Sequence, residues 1–146
     1  MSTVLHFACE NGIELPDGLP PELLAVPCVF NNRMRTSLGR ADFMRSEPDK
    51  CIGIELNKRL RGSPHLQNTF LHELAHALAG LLANHGPDWR AAAELLGAEP
   101  RCYAADHVAD EVGLPAPRRR RSSADAAKPA RQAKDSDRPG CCAPKK

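Results

Sequence analysis

At 146 residues with a formal net charge of +2, thirteen prolines and only six aromatic residues, the chain is at most one domain plus a tail, with a modest hydrophobic core. It has no apolar run of membrane-spanning length, and Met1-Ser2-Thr3-Val4-Leu5 has no signal-peptide character, so the composition points to an intracellular, cytoplasmic protein with no membrane role. Six cysteines without a secreted-scaffold spacing fit a reducing compartment.

The small total charge conceals a strong asymmetry. Residues 1–30 carry four acids and no Lys or Arg, whereas residues 31–62 carry eight bases (Arg33, Arg35, Arg40, Arg45, Lys50, Lys58, Arg59, Arg61) against four acids. Residues 63–113 are acidic again, and residues 114–146 hold ten bases against three acids. A basic middle and a basic end therefore flank an acidic region.

Taken in order, the opening through Pro21 is broken by Gly12, Pro16, Gly18 and Pro20, and reads as a short ordered piece at best. An apolar run from Val26 to Phe30 predicts a first strand, and Gly39 to Arg45 a second. Cys51 to Leu56 predicts a third, with Ile52, Ile54 and Leu56 on one face. Ser46-Glu47-Pro48-Asp49-Lys50 is turn chemistry, so the last two strands are expected to form a hairpin. Cys9, Cys28, Cys51 and Cys102 sit among apolar neighbours and are expected to be buried thiols.

A long helix follows, with Ser63 as N-cap, Pro64 in the first turn and Leu66, Phe70, Leu74, Leu78 and Leu81 as its core stripe. It carries His72-Glu73-Leu74-Ala75-His76. Residues four apart are neighbours on one helix face, about 5–6 Å between Cβ atoms, so His72 and His76 can hold one Zn²⁺. Glu73 points to the side, where it can reach water at the ion without ligating it, as a general base must.

Catalytic zinc usually has a third protein ligand. A further histidine six residues after His76, with glycine three residues after it, would mark the metzincins, but Leu82 and Ala79 stand there. Three alternatives remain: His85, held in the turn Asn84-His85-Gly86-Pro87; Glu94 on a following helix, with Glu99 behind it; or an acid between Asp106 and Glu111. Asn84 and Gly86 tolerate the left-handed conformation that ends a helix, and Pro87 suits the first turn of the next. That next helix, about Pro87 to Leu96, is expected to pack Trp89, Ala92, Leu95 and Leu96 inward. Arg101 to Val112 reads as a last short helix carrying Tyr103 and His107.

At these residues the sequence resembles the SprT-like, or Spartan-type, zinc metalloproteases. His72-Glu73-x-x-His76 followed by His85-Gly86-x-x-Trp89 is similar to that family's His-Glu-x-x-His and His-Gly-x-x-aromatic elements. Upstream, Asn31-Asn32-Arg33 with the Gly39 strand, and Ile54-Glu55-Leu56-Asn57-x-x-Leu60, resemble the segments before its catalytic helix. The likeness covers about residues 25–104. It implies His72, His76 and His85 as zinc ligands, Glu73 as base, and substrates that are proteins on or crosslinked to DNA, with activity gated by nucleic acid, which would fit nucleoid or nuclear association. Many members add a zinc ribbon; here only Cys102, Cys141 and Cys142 follow the core, too few to build one.

The expected architecture is α+β: a zincin-like metallopeptidase domain over residues 1–113, with a small antiparallel sheet beside the long metal-binding helix, and a disordered basic tail over 114–146. In that tail Arg118, Arg119, Arg120 and Arg121 form a cluster able to bind DNA phosphates, together with the basic 31–62 segment. Two rivals share the same residues: a non-catalytic zinc-stabilised adaptor for nucleic acid or protein, and a hydrolase of non-peptide amides.

Overall fold

A computed structural model describes residues 2–99, 108 and 111–115. Its first element is a two-residue strand, β1 (Ser2–Thr3), leading into helix α1 (Val4–Glu10). Thr3 caps that helix by accepting from the His6 N–H at 3.3 Å. The i, i+3, i+4 set Val4, Phe7 and Ala8 is buried. The Phe7 ring lies 5.0 Å from that of Phe30 and 5.4 Å from that of Phe70, so the opening segment is part of the core. Cys9, expected to be buried, is exposed because it falls on the outer face of α1.

A one-turn helix, α2 (Pro21–Leu24), delivers the chain to β2 (Pro27–Asn31), followed by β3 (Gly39–Met44) and β4 (Glu47–Asn57). The β3/β4 hairpin is as the sequence indicates, but its turn is tighter: Glu47 to Lys50 already belong to β4, and the strands slip register near Phe43. The sheet order is β1-β2-β4-β3. The α+β class stands, with one difference from the expected antiparallel sheet: β2 runs parallel to β4, pairing Cys28 with Ile54 and Phe30 with Leu56. The hairpin places β3 on one edge of β4, and the chain reaches it from β2 through a crossing loop, so β2 takes the other edge in the same direction as β4.

Asn57, 1 % exposed, holds that crossing loop. Its amide donates to the carbonyls of Met34 and Ser37, both at 3.0 Å, and its oxygen accepts from the Arg59 N–H. Its own N–H donates to Leu38 O at 2.8 Å. A buried amide thus satisfies carbonyls that would otherwise be left unpaired beside the core.

Helix α3 (Leu66–Ala79) lies across the sheet with Leu66, Phe70, Leu71, Leu74 and Ala75 buried beneath it. It begins later than Ser63-Pro64 suggested, since the Ser63 hydroxyl accepts from the His65 N–H in a separate turn. It also ends sooner. Gly80 has φ +90°, and a Cβ there would lie 2.7 Å from Asp49 Oδ1, so Leu81 falls outside the helix and is half-exposed. Helix α4 (Pro87–Leu96) has the expected bounds and buries Trp89, Ala92, Ala93 and Leu96. Leu95, expected inside, is off that stripe and 63 % exposed. No described helix is long and apolar enough to cross a membrane.

The predicted Arg101–Val112 helix, with Cys102, Tyr103 and His107, falls almost wholly outside the described residues, as do Cys141, Cys142 and Arg118 to Arg121. Val108 and Val112 pack against the core, and Leu114 is 5 % exposed, so the packed chain reaches one residue into the stretch assigned to the tail.

Candidate metal centre

One turn of α3 separates His72 from His76 and leaves their ring centroids 5.1 Å apart. After Gly80, a 3-10 turn over Leu81–Ala83 carries the chain back toward the helix. Asn84 takes the positive φ of 44° anticipated from its residue type. Gly86 does not, but a Cβ on it would come within 3.0 Å of the Ala83 carbonyl oxygen, so the turn needs its small size. The result is that His85 folds over α3: its Nε2 is 3.1 Å from His76 Nε2 and 3.2 Å from His72 Nε2.

Those spacings test whether the residues suit an ion. Two nitrogens each 2.0–2.1 Å from a tetrahedral zinc stand about 3.3–3.4 Å apart. The two distances from His85 are within a few tenths of that, and all three donor atoms lie within 4.8 Å of one another. Three neutral imidazoles so close repel through their lone pairs unless a proton or a cation sits between them. Burial, reinforced by the neighbouring imidazoles, lowers the pKa of His72 to about 4. Burial, with His85 beside it, does the same for His76. Both therefore present free lone pairs at neutral pH, as ligands must. The cluster could hold a metal ion, and it is the one such cluster among the described residues.

The described alternative third donors do not join it. Glu94 and Glu99 are exposed, Glu111 is paired with His65, and Asp106 and Asp110 lie outside the described residues.

Glu73, one residue on from His72, is rotated about 100° around the helix and turns toward β3. Its side chain is buried, and its Cγ and Oε1 would be 2.7 and 2.8 Å from a Cβ on Gly39. Only glycine permits that approach. Burial raises the Glu73 carboxyl to about 7; a backbone hydrogen bond at Ala41 opposes the rise, and the Asp42 carboxylate adds to it. A carboxyl poised near neutrality can take up and release a proton at working pH.

Three contributors to the site are not evident from the sequence. Gly39 makes room for Glu73; its position opening a strand is the only local signal. Asn57 anchors the loop that leads into Gly39, and its Asn-x-Arg turn with Arg59 is too common to mark it. Trp89 is legible as a core residue, and its burial is complete, but its contact with all three histidine rings is not.

Comparisons with curated proteins and with solved structures return no match. A model of the SprT-like family matches residues 16–108, a span that takes in α2 through α4 with both segments that meet at the histidine cluster, and on that match the chain belongs to the SprT-like family.

Proposed function

We propose that the protein is a zinc-dependent metalloendopeptidase in which His72, His76 and His85 hold the ion and Glu73 is the general base. The observation that carries this reading is the convergence of His85 Nε2 to 3.1–3.2 Å from both helix histidines, with a buried carboxyl on that helix turned toward β3, which pairs only with β4 among the described residues. An all-imidazole donor set with tetrahedral spacing suits zinc among the available divalent ions. Zinc bound there would lower the pKa of a water toward about 7 and polarise a scissile carbonyl.

The rest of the reaction falls to the chain. Glu73 accepts the proton of the attacking water and delivers it to the leaving amine nitrogen, which its near-neutral pKa suits in both directions. Strand β3 has β4 as its only strand partner among the described residues, so, apart from the backbone group at Ala41 that Glu73 engages, its outer edge is open to another strand. An extended substrate can pair with it through its main chain, a mode that reads backbone more than sequence. An adaptor would need the histidines but has no use for a buried, titratable Glu73, which is why the peptidase reading is preferred.

The substrates proposed are proteins bound to DNA. Support comes from the eight bases of the 31–62 segment, every one of them exposed, and from Arg118 to Arg121 in the sequence beyond. The test compares the parent with Glu73→Gln for zinc content and for cleavage of a DNA-bound basic protein, with and without single-stranded DNA. Glu73→Gln is expected to keep its zinc and lose hydrolysis. Cleavage at the parent rate would remove Glu73 from the role, and zinc without cleavage by the parent under any DNA condition would favour the adaptor.

A further inference from the structure

The three imidazoles are held in an unusual way. Ligand histidines commonly donate their second ring N–H to a carboxylate or carbonyl, which fixes the ring. Here, among the described residues, the hydrogen-bond contacts of the three rings are with one another, at Nε2. What they share instead is one surface. The Trp89 indole is fully buried, with its ring centroid 4.8 Å from that of His72, 5.5 Å from His76 and 4.7 Å from His85. It meets them at interplanar angles of 59°, 37° and 81°, so each ring rests on it in a different orientation.

The indole also carries a cost that mere space-filling does not require. Its Nε1–H is buried without a hydrogen-bond partner among the described residues. A phenyl ring would fill the core without that unpaired donor, but only the two-ring indole has the width to reach three imidazoles. Pro87 and the small Gly86 fix the start of α4, and so set Trp89 four residues on from His85.

We propose that Trp89 is the positioning residue of the metal centre: its indole is the common wall that sets the orientation of His72, His76 and His85, and through them the affinity for the ion. This rests on the triad holding a metal and is independent of peptide hydrolysis.

Trp89 is the single tryptophan of the chain, so its emission reports on this place alone. The experiment titrates Co²⁺ into metal-free full-length protein, following tryptophan emission in the parent and the visible Co²⁺ bands in the parent, Trp89→Leu, Trp89→Phe and Leu96→Ala. Circular dichroism serves as the fold control. Emission of the parent is expected to be quenched with one-to-one saturation. Trp89→Leu should bind Co²⁺ about 10–100-fold more weakly, with shifted bands. Trp89→Phe, too narrow to reach all three imidazoles, should recover only part of the affinity and leave the bands shifted. Leu96→Ala truncates the core face of the same helix and should leave affinity and bands as in the parent.

A folded Trp89→Leu with parental affinity and bands overturns the proposal, as does a Leu96→Ala that weakens binding equally. Unquenched parent emission on stoichiometric Co²⁺ binding overturns it however the variants fold. Failure of the parent to bind Co²⁺ at all would instead sink the metal centre itself.

Discussion

Gly39→Ala isolates the placement of the proposed base from everything else in the site. A methyl group built on Gly39 would lie 2.7 Å from Glu73 Cγ, 2.8 Å from Oε1 and 3.0 Å from Cδ, where ordinary contact is about 3.5–4.0 Å. Glu73 must therefore retreat by about 1 Å, the displacement that costs on the order of 10²-fold in rate when a catalytic group is misplaced. The backbone of Gly39 is not in the left-handed region, so alanine is tolerated there. What must yield first is the buried Glu73 side chain from its Cγ outward, so the stability cost is expected within the roughly 1–3 kcal/mol typical of overpacking. The histidines are untouched. The assay measures kcat/KM on an extended peptide substrate alongside zinc content and Tm for parent and Gly39→Ala. The expected result is a loss of about 100-fold with full zinc and a Tm lowered by about 4–8 °C for each kcal/mol of that cost. A Gly39→Ala protein that cleaves at the parent rate would refute the view that this glycine seats the base, and loss of zinc would show that the strain passes into the triad.

Asn57→Ala removes the amide that serves Met34 O, Ser37 O and the Arg59 N–H, and should cost about 2–3 kcal/mol in urea unfolding; an unchanged midpoint would mean the loop holds itself. In the metal-free protein, His72 and His76 resist protonation until about pH 4 whereas the unfolded chain takes up those protons near 6.5, so stability falls as the pH drops through that window. Glu73 acts in the opposite sense, contributing fully below about 4.5 and losing its contribution as the pH rises through about 7. With two histidines against one carboxyl, the Tm of the metal-free protein should climb from pH 4.5 to a maximum near 6.5, and a Tm that declines over that range would contradict the assignment. Chelation should lower Tm, since an ion present at 100 times its Kd adds about 2.7 kcal/mol to the folded state; an identical Tm with and without chelator would show that no ion is held by the fold. Truncation after Pro115 spares the buried Leu114 and removes Arg118 to Arg121. It should weaken DNA binding and flatten its salt dependence by about 0.9 in log–log slope for each phosphate no longer neutralised, whereas identical binding at several salt concentrations would dismiss those arginines.

The parts of the molecule that are legible in the sequence are those specified by local spacing. Histidines four apart need only a helix to converge, and Asn84-His85-Gly86-Pro87 contains most of the turn that returns His85 to them. Helix α4 is announced by Pro87 at its start and Gly97, at φ 72°, after its end. What is not legible depends on partners far along the chain. Helix α1 spans only two turns, and its Phe7 acquires meaning only beside Phe30 and Phe70. The direction of β2 is settled by where the β3/β4 hairpin lands, which no pattern within Pro27–Asn31 encodes. The stop of α3 at Gly80 depends on Asp49 from β4, so tertiary packing overrides an apolar stripe that continues to Leu81.

The two ends of the sheet are unequal, and this bears on how the protein behaves when concentrated. On one side β1 is a two-residue stub, too short to template another chain, whereas β3 on the other side offers six residues. Any stray strand that seeks a partner, including an unfolded segment of a second copy, would therefore meet the edge strand whose Gly39 lies against Glu73. With substrates paired along β3 as proposed, aggregation and turnover would compete for the same hydrogen bonds. A short peptide occupying that edge would suppress both, so an inhibitor of the proposed activity should also act as a solubiliser.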